Sequence, residues 1–434
     1  MHQHINTRLP RLRAFKRTRM KCIRRQWGNF CAPSLTDSCT ETYQLSSWIK
    51  THKLSSGKNP KLSSGKNPTL TSGKNSPKIS GRISHAYLLE LAEKLIAFRT
   101  LSLDEYESLI SFYDREVTDL LTTEAKRIRE DVYGTTVYIR GLIEISNYCK
   151  NDCLYCGIRK SNHSCTRYRL TPQDILECAC EGYRLGFRTF VLQGGEDPWF
   201  NDDRLVDLLH ELKSTHPDCA ITLSLGERTY ESYQRLFDAG ADRYLLRHET
   251  VCEDLYNKLH PQTMHLENRL QCLEDLRSIG YAVGCGFMVG APYQTARDLA
   301  HDLKFIEHFK PEMCGIGPFI PHHATPFRAM PAGSVDLTCF LLSLIRIIHP
   351  SVLLPATTAL GSLDPQGRTK GMLAGANVVM PNLSPLNVRA NYELYNNKAH
   401  TGTEAAEHLS LLDADMQSIG YHLVIDRGDP KERL

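Results

Sequence analysis

Three thiols crowd one short stretch of this chain, Asn147-Tyr148-Cys149-Lys150-Asn151-Asp152-Cys153-Leu154-Tyr155-Cys156-Gly157, with the spacing Cys-x3-Cys-x2-Cys. Cys thiolate is the ordinary ligand of iron–sulfur clusters, and a 4Fe–4S cluster needs four ligands to be fully coordinated. Three thiolates on one loop therefore leave one iron open to an outside ligand, which permits chemistry beyond electron transfer. The alternative is a zinc site completed by His163. The other cysteines are scattered. Cys178, Cys180 and Cys272 fall on predicted helices and Cys219, Cys285 and Cys314 on predicted strands, where a free thiol packs as a small apolar residue. An odd total of 15 cysteines in 434 residues excludes a small disulfide scaffold.

Two further groups of residues could do chemistry. Gly194-Gly195-Glu196-Asp197 ends an apolar run, and its small residues allow a backbone to approach a ligand closely, although Gly-Gly also marks an ordinary tight turn. In 242–249 (DRYLLRHE), period-two alternation puts Arg243, Leu245, Arg247 and Glu249 on one face and Tyr244, Leu246 and His248 on the other. Charges buried on one strand face are costly unless they pair with each other or meet a ligand. At about 3.3 Å per residue, Arg247 and Arg243 lie roughly 7 and 20 Å below Glu249. His322 and His323 read as solvated loop histidines, with metal ligation the lesser reading. Met313 and Met380, taken alone, read as packing.

The elements that position these groups alternate. Helical apolar spacing predicts helices over 86–98, 103–112 (after Ser102 as N-cap) and about 115–129. Eight strand candidates follow, at 137–146, 187–194, 219–226, 242–249, 281–290, 313–320, 352–358 and 376–381. Helices are predicted between them at 172–185, 203–214, 229–239, 267–279, 295–309 and 336–349. Eight strand–helix units in about 250 residues favour a (β/α)8 barrel over a doubly wound open sheet. In a barrel the active site lies at the C-terminal strand ends, where the cysteine loop falls.

Charge divides the chain. Residues 1–85 carry 17 Lys/Arg and two acids, Asp37 and Glu41, whereas the remainder carries 35 basic and 47 acidic side chains. A mildly acidic body argues against nucleic-acid binding. No run approaches the ~18–20 apolar residues of a membrane span. Residues 1–36 hold seven arginines and no acid. They read as an organellar presequence, or else as a tail or a start placed too far upstream. The compartment stays open: cytoplasmic for a bacterial chain, organellar if 1–36 is a presequence. Gly-Lys-Asn recurs with a period of eight over 53–77, a composition that cannot bury a core. The expected organisation is a disordered basic tail over 1–83, a helical segment over 84–136 and a barrel over 137–420.

The cysteine spacing after the first barrel strand, with aromatic Tyr155 before the third Cys, resembles the signature of the radical S-adenosylmethionine (SAM) superfamily. CKNDCLYCGI (149–158), TRYRLTP (166–172), VLQGGEDP (191–198), TLSLGE (222–227), AGADRYLLRHET (239–250), GIGPFIPH (315–322), PATTALG (355–361) and ANVVMPN (376–382) together resemble the HydE-type FeFe-hydrogenase maturases of its biotin-synthase-like branch. The resemblance covers about 86–420. It implies a 4Fe–4S cluster on Cys149, Cys153 and Cys156, with SAM on the open iron, cleaved reductively to methionine and a 5′-deoxyadenosyl radical. It assigns Tyr155, Gly194, Gly195, Glu196, Glu249, Arg269, Met313, Ile320, Met380 and Tyr395 to SAM. It assigns Gln193, Thr222, Arg243, Arg247, Thr357, Thr358 and Tyr392 to a substrate in the barrel, and no catalytic side chain beyond these. The implied substrate is an iron–cysteine complex carrying CO and cyanide. The implied partners are a reductant such as ferredoxin or flavodoxin and the other hydrogenase maturases. Some chains of this type carry three extra C-terminal cysteines, and 393–412 has none. Biotin-synthase-like sulfur insertion lacks its ligands, with no Cys in 187–194 and no Arg in 376–381. A methylornithine-synthase-like mutase and a non-enzymatic iron–sulfur carrier remain as alternatives.

Overall fold

Ser102 shows how directly local chemistry sets this fold. Its side chain accepts from the Glu105 amide while the Glu105 carboxylate accepts from the Ser102 amide, a capping box that starts the helix Leu103–Phe112. In the computed structural model, which describes residues 83–431, that helix stands between His85–Phe98 and Arg115–Tyr133. The expectations for residues 1–82, including the presequence-like start and the repeat, lie outside the described residues.

Eleven strands follow: β1 Thr136–Ile139, β2 Gly141–Ser146, β3 Thr189–Gly194, β4 Ala220–Ser224, β5 Arg243–Leu245, β6 Ala282–Cys285, β7 Met288–Val289, β8 Met313–Cys314, β9 Gly317–Pro318, β10 Val378–Val379 and β11 His422–Val424. Every ladder is parallel, in the order β2-β3-β4-β5-β6-β8. Parallel bridges Met313–Leu353 and Pro355–Val378, then the β10–β1 ladder and the Leu142–Asn382 bridge, carry the sheet round to its start. All eight predicted strand segments therefore lie in one closed (β/α)8 ring. The predicted strands at 137–146, 281–290 and 313–320 are each broken in two, and 352–358 pairs only through bridges.

The intervening helices match the predicted ones within a residue or two: Pro172–Arg184, Asp202–Thr215, Tyr230–Asp238, Leu266–Ile279, Ala296–Phe309 and Val335–Ile348. Alternate strand residues divide between two environments, as the pleat requires. Ile143, Leu192, Leu223, Tyr244, Val283, Cys314, Leu354 and Val379 join the helices in the main core. Their neighbours Arg140, Glu144, Gln193, Thr222, Arg247, Met313, Thr357 and Met380 face the barrel interior.

β11 was not foreseen. It pairs in parallel with β1 from Thr136 to Tyr138 at the N-terminal mouth of the barrel. The chain that follows lays Arg427 and Asp429 across that mouth.

Candidate functional site

Ser146 ends β2, and fully buried Asn147 anchors what comes next. Its side-chain amide donates to the Thr166 and Asn391 carbonyls at 2.8 and 2.7 Å, and its Oδ1 accepts from the Tyr168 amide at 2.8 Å. The Arg167 guanidinium then gathers the Asn147, Ile158, Arg159 and Asn162 carbonyls, which stitches both ends of the cysteine loop together. Asp152 accepts from Arg159 and from the Ser161 hydroxyl and amide inside the loop. Cys149, Cys153 and Cys156 are free thiols, partly covered. Burial pushes all three up, Cys156 to about 12; Cys153 and Cys156 also sit in the field of neighbouring thiols, and Cys149 in that of Glu196. A metal or cluster bound here would have to displace these protons, because only the thiolate is a ligand.

Gly195 lets the backbone close in. A Cβ there would lie 2.2 Å from the Tyr148 carbonyl oxygen and 2.8 Å from the Cys149 Cβ. The Glu196 carbonyl accepts from the Lys150 amide at 2.9 Å, joining this turn to the cysteine loop. The Tyr155 hydroxyl lies 3.2 Å from His260 Nε2, with the two rings edge to face.

Beside the thiols stands a cluster of charges. Arg269, in the first turn of Leu266–Ile279, reaches Glu227 at 2.7 Å and Glu196 at 3.9 Å, and donates to the Arg247 carbonyl at 3.5 Å. Burial works against its charge, but Glu227, Tyr256 and Glu196 together hold it above the usual arginine range. Burial raises Glu227 despite Arg269. Arg247 pairs with Glu249 at 3.2 Å, and Glu249 has a positive φ of 65°. Sequence reasoning missed Glu227, although it lies in the TLSLGE phrase. A pocket of about 260 Å³ opens here, lined by Lys150, Glu196, Glu227 and Arg228 among others.

Deeper residues sort into two groups. The first keeps polar or apolar groups turned toward the barrel or its rim, with no hydrogen bond to the thiols. Gln193 donates to the Tyr392 hydroxyl at 3.4 Å, and Thr222 Oγ1 is buried without a hydrogen-bond partner. Thr357 donates to the Ile316 carbonyl at 3.3 Å; buried Ile320 follows β9, and half-buried Tyr395 lies three residues beyond Tyr392. The second group lies elsewhere. The Thr358 hydroxyl is spent on Glu404 at 2.8 Å. Met313 packs low in the barrel with Leu353, Val378 and Tyr138, with Met380 against them, rather than at the strand ends. Arg243, expected to face substrate, is corrected most clearly. It is held at the N-terminal mouth by Asp429 at 2.7 Å, the Arg427 carbonyl at 2.9 Å and Thr189 at 3.3 Å. The reason is register: Arg243 pairs with Ala282 and Thr222 at the first rung of β5, farthest from the loops.

Two barrel charges were not foreseen. Glu144 is fully buried and is bound by Lys398 at 2.6 Å and Asn382 at 2.9 Å. Arg140 is also fully buried, donates to the Met313 sulfur at 2.6 Å, and leaves Nε and Nη2 without a hydrogen bond.

The thiols fit an iron–sulfur cluster better than zinc. Zinc–sulfur bonds of about 2.3 Å would draw three thiolates to within ~4 Å of one another. Among the described residues, the group whose ligand atoms all fall within 4.8 Å is His322, His323 and Glu393, not the cysteines. His163 is exposed and lines a surface pocket with Lys150, Asn151 and Asp152 of the cysteine loop and with Lys160 and Thr263. The His pair itself is a poor metal site. His322 Nδ1 accepts from the Ala324 amide, so its proton sits on Nε2, facing Glu393 at 3.5 Å.

Residues 143–306 match the model of the Radical SAM superfamily. The chain is 44% identical over 309 residues to the [FeFe] hydrogenase maturase subunit HydE of Thermotoga maritima, an alignment spanning 71% of this chain and 88% of that protein. It is 29% identical to the 3-methylornithine synthase of Methanosarcina acetivorans, over 69% and 86% of the two chains. Among solved structures, methylornithine synthase (PylB) superposes with a TM-score of 0.67 at 25% identity, covering 77% of this chain and 97% of that one. HydG, a maturase of the [FeFe]-hydrogenase, gives 0.65 at 21% identity, covering 79% and 77%, a likeness of fold alone.

Proposed function

Because this chain belongs to the HydE family of [FeFe]-hydrogenase maturases within the radical SAM superfamily, we propose that it cleaves SAM and directs the resulting radical at an iron–cysteine precursor of the hydrogenase H-cluster held inside the barrel. It is a radical SAM enzyme that uses a 4Fe–4S cluster and SAM. The observation that carries the reading is the convergence of three unpaired thiols with Glu196, Glu249 and Arg269 at one end of the barrel.

Cys149, Cys153 and Cys156 would hold the cluster, which when bound supplies the electron that reductive SAM cleavage needs. Gly195 leaves room for a ligand's approach. Glu196 would accept from the methionyl ammonium, and Arg269 and Glu249 would help to hold SAM. Glu227 and Glu196 keep Arg269 charged, so a SAM carboxylate would share the guanidinium with them. Tyr155, Ile320 and Tyr395 exclude water from the SAM pocket. Below them, Gln193, Thr222 and Tyr392 would offer polar groups to a substrate, beside Thr357, which donates to the Ile316 carbonyl, and Arg247, which is paired with Glu249. Thr222 has a hydroxyl without a protein partner, which favours a ligand there.

A biotin-synthase-like auxiliary cluster finds no support, since strand cysteines Cys219, Cys285 and Cys314 pack into the helix-facing core. The methylornithine-synthase reading rests on a lower identity than the maturase one. The chain works alongside other hydrogenase-maturation proteins, and a ferredoxin- or flavodoxin-type reductant is the proposed electron donor. The test is reconstitution. Added to a maturation mixture lacking only its HydE component, the protein should restore hydrogen evolution by apo-hydrogenase. Failure, with SAM cleavage intact, would point to the mutase reading.

A further inference from the structure

Glu249 occupies the left-handed region at φ 65°, a conformation that costs a non-glycine residue about 1 kcal/mol. Something must hold it there. Its own amide donates to the Gly286 carbonyl at 3.0 Å, and its carbonyl accepts from the Met288 amide at 3.4 Å. On one side, His248 Nδ1 accepts from the Gly286 amide at 3.3 Å. On the other, the Val251 amide donates to Asp302 Oδ1 at 2.8 Å. His248 Nε2 and Asp302 Oδ1 stand 3.5 Å apart, and both side chains are fully buried behind the barrel wall.

Burial holds His248 down to about 3, so its ring is neutral. With Nδ1 accepting from Gly286, the single ring proton sits on Nε2, which stands 3.5 Å from Asp302 without a hydrogen bond. Phe287 and Phe305 flank the imidazole at ring separations of 5.9 and 4.7 Å. Asp302 belongs to Ala296–Phe309, a helix outside the barrel that contributes nothing to the lumen. The segments on both sides of Glu249 are thus tied to one rigid helix and to the next strand.

We propose that His248 and Asp302 are positioning residues for SAM: a buried polar clamp that keeps Glu249 in its left-handed conformation and its carboxylate aimed at the cofactor. The proposal rests on the reading of Glu249 as a SAM ligand. Neither residue touches the cofactor. Each acts through Glu249.

The test is a double-mutant cycle read by calorimetric SAM binding to the reconstituted enzyme, with amide hydrogen exchange over 247–251 as a second readout. Asp302→Ala orphans the Val251 amide and should weaken SAM binding about tenfold. Asp302→Asn keeps the acceptor and should restore it to within about threefold. In a Glu249→Gln background, Asp302→Ala should add little, because the two act as a unit. If Asp302→Ala does not fold, His248→Phe keeps the ring packing, removes both nitrogens and enters the same cycle. Wild-type SAM affinity in Asp302→Ala, or full additivity with Glu249→Gln, would overturn the proposal. If Glu249→Gln itself binds SAM normally, the ligand reading fails instead. The clamp would then be judged by exchange alone, where unchanged protection at Glu249 and Val251 in Asp302→Ala sinks it.

Discussion

Arg243 shows how far a residue's neighbours override its address on a strand. Alternation puts it on the same face as Arg247 and Glu249, and that is where it lies. Depth decides the rest: burial lowers its guanidinium, and Asp429 opposes that shift from the C-terminal segment. Arg243→Leu should therefore lower stability by about 1–3 kcal/mol through lost hydrogen bonds to Thr189 and the Arg427 carbonyl, since exposed Asp429 can turn to water. SAM cleavage and hydrogenase maturation should both persist. Unfolding by urea alongside a 5′-deoxyadenosine assay checks this, and maturation lost at unchanged stability would return Arg243 to the substrate. The period-two argument that exposed Arg243 and Arg247 was equally available for 137–146, where Arg140 and Glu144 alternate among apolar residues. Applied there, it would have found the two buried charges of the first strand. Glu227 left a weaker signal, because it lies past the end of its strand and is placed by its contact with Arg269.

Helices were legible because their ends carry their own chemistry. Thr171 with Asp174, and Thr295 with Asp298, form capping boxes like that of Ser102. The later strands were less legible, because two- to four-residue ladders broken at Gly286 and Gly315 leave little alternation to read. β11 was invisible for another reason: it follows a helix, is only three residues long, and is recruited by β1 rather than by its own pattern. Where elements meet at the site, Asp197 ties them. It accepts from Ser146 at the end of β2, from Arg169 beyond the cysteine loop and from the Trp199 amide. Burial would raise its pKa, but these bonds lower it below the usual carboxylate range. A depressed folded-state pKa stabilises the protein above the unfolded value and loses that contribution as pH falls through the folded one. The melting temperature should thus fall from about pH 5 to pH 3, and Asp197→Asn should flatten that fall. An unchanged slope in the variant would show that Asp197 does not tie these elements.

At the scale of the molecule, the closed ring gathers charged residues at both mouths, besides Arg140 and Glu144 buried within it. The C-terminal mouth holds the thiols with Glu196, Glu227, Glu249, Arg247 and Arg269. The N-terminal mouth holds Arg243, Arg427 and Asp429, closed by the chain after β11. Helix His85–Phe98 starts on its own cap at Ser84. Deleting 1–82 should leave cluster content, by iron analysis, and SAM affinity unchanged. Loss of either would assign the segment a part in the barrel. The account as a whole turns on whether this mouth performs reductive SAM cleavage. The direct measurement is 5′-deoxyadenosine released from SAM by the reduced, reconstituted protein, beside Cys149→Ala, Cys153→Ala and Cys156→Ala. The account predicts product from the parent protein and none from any of the three variants. No product from a parent protein carrying its full complement of iron, or undiminished product from any variant, would contradict it.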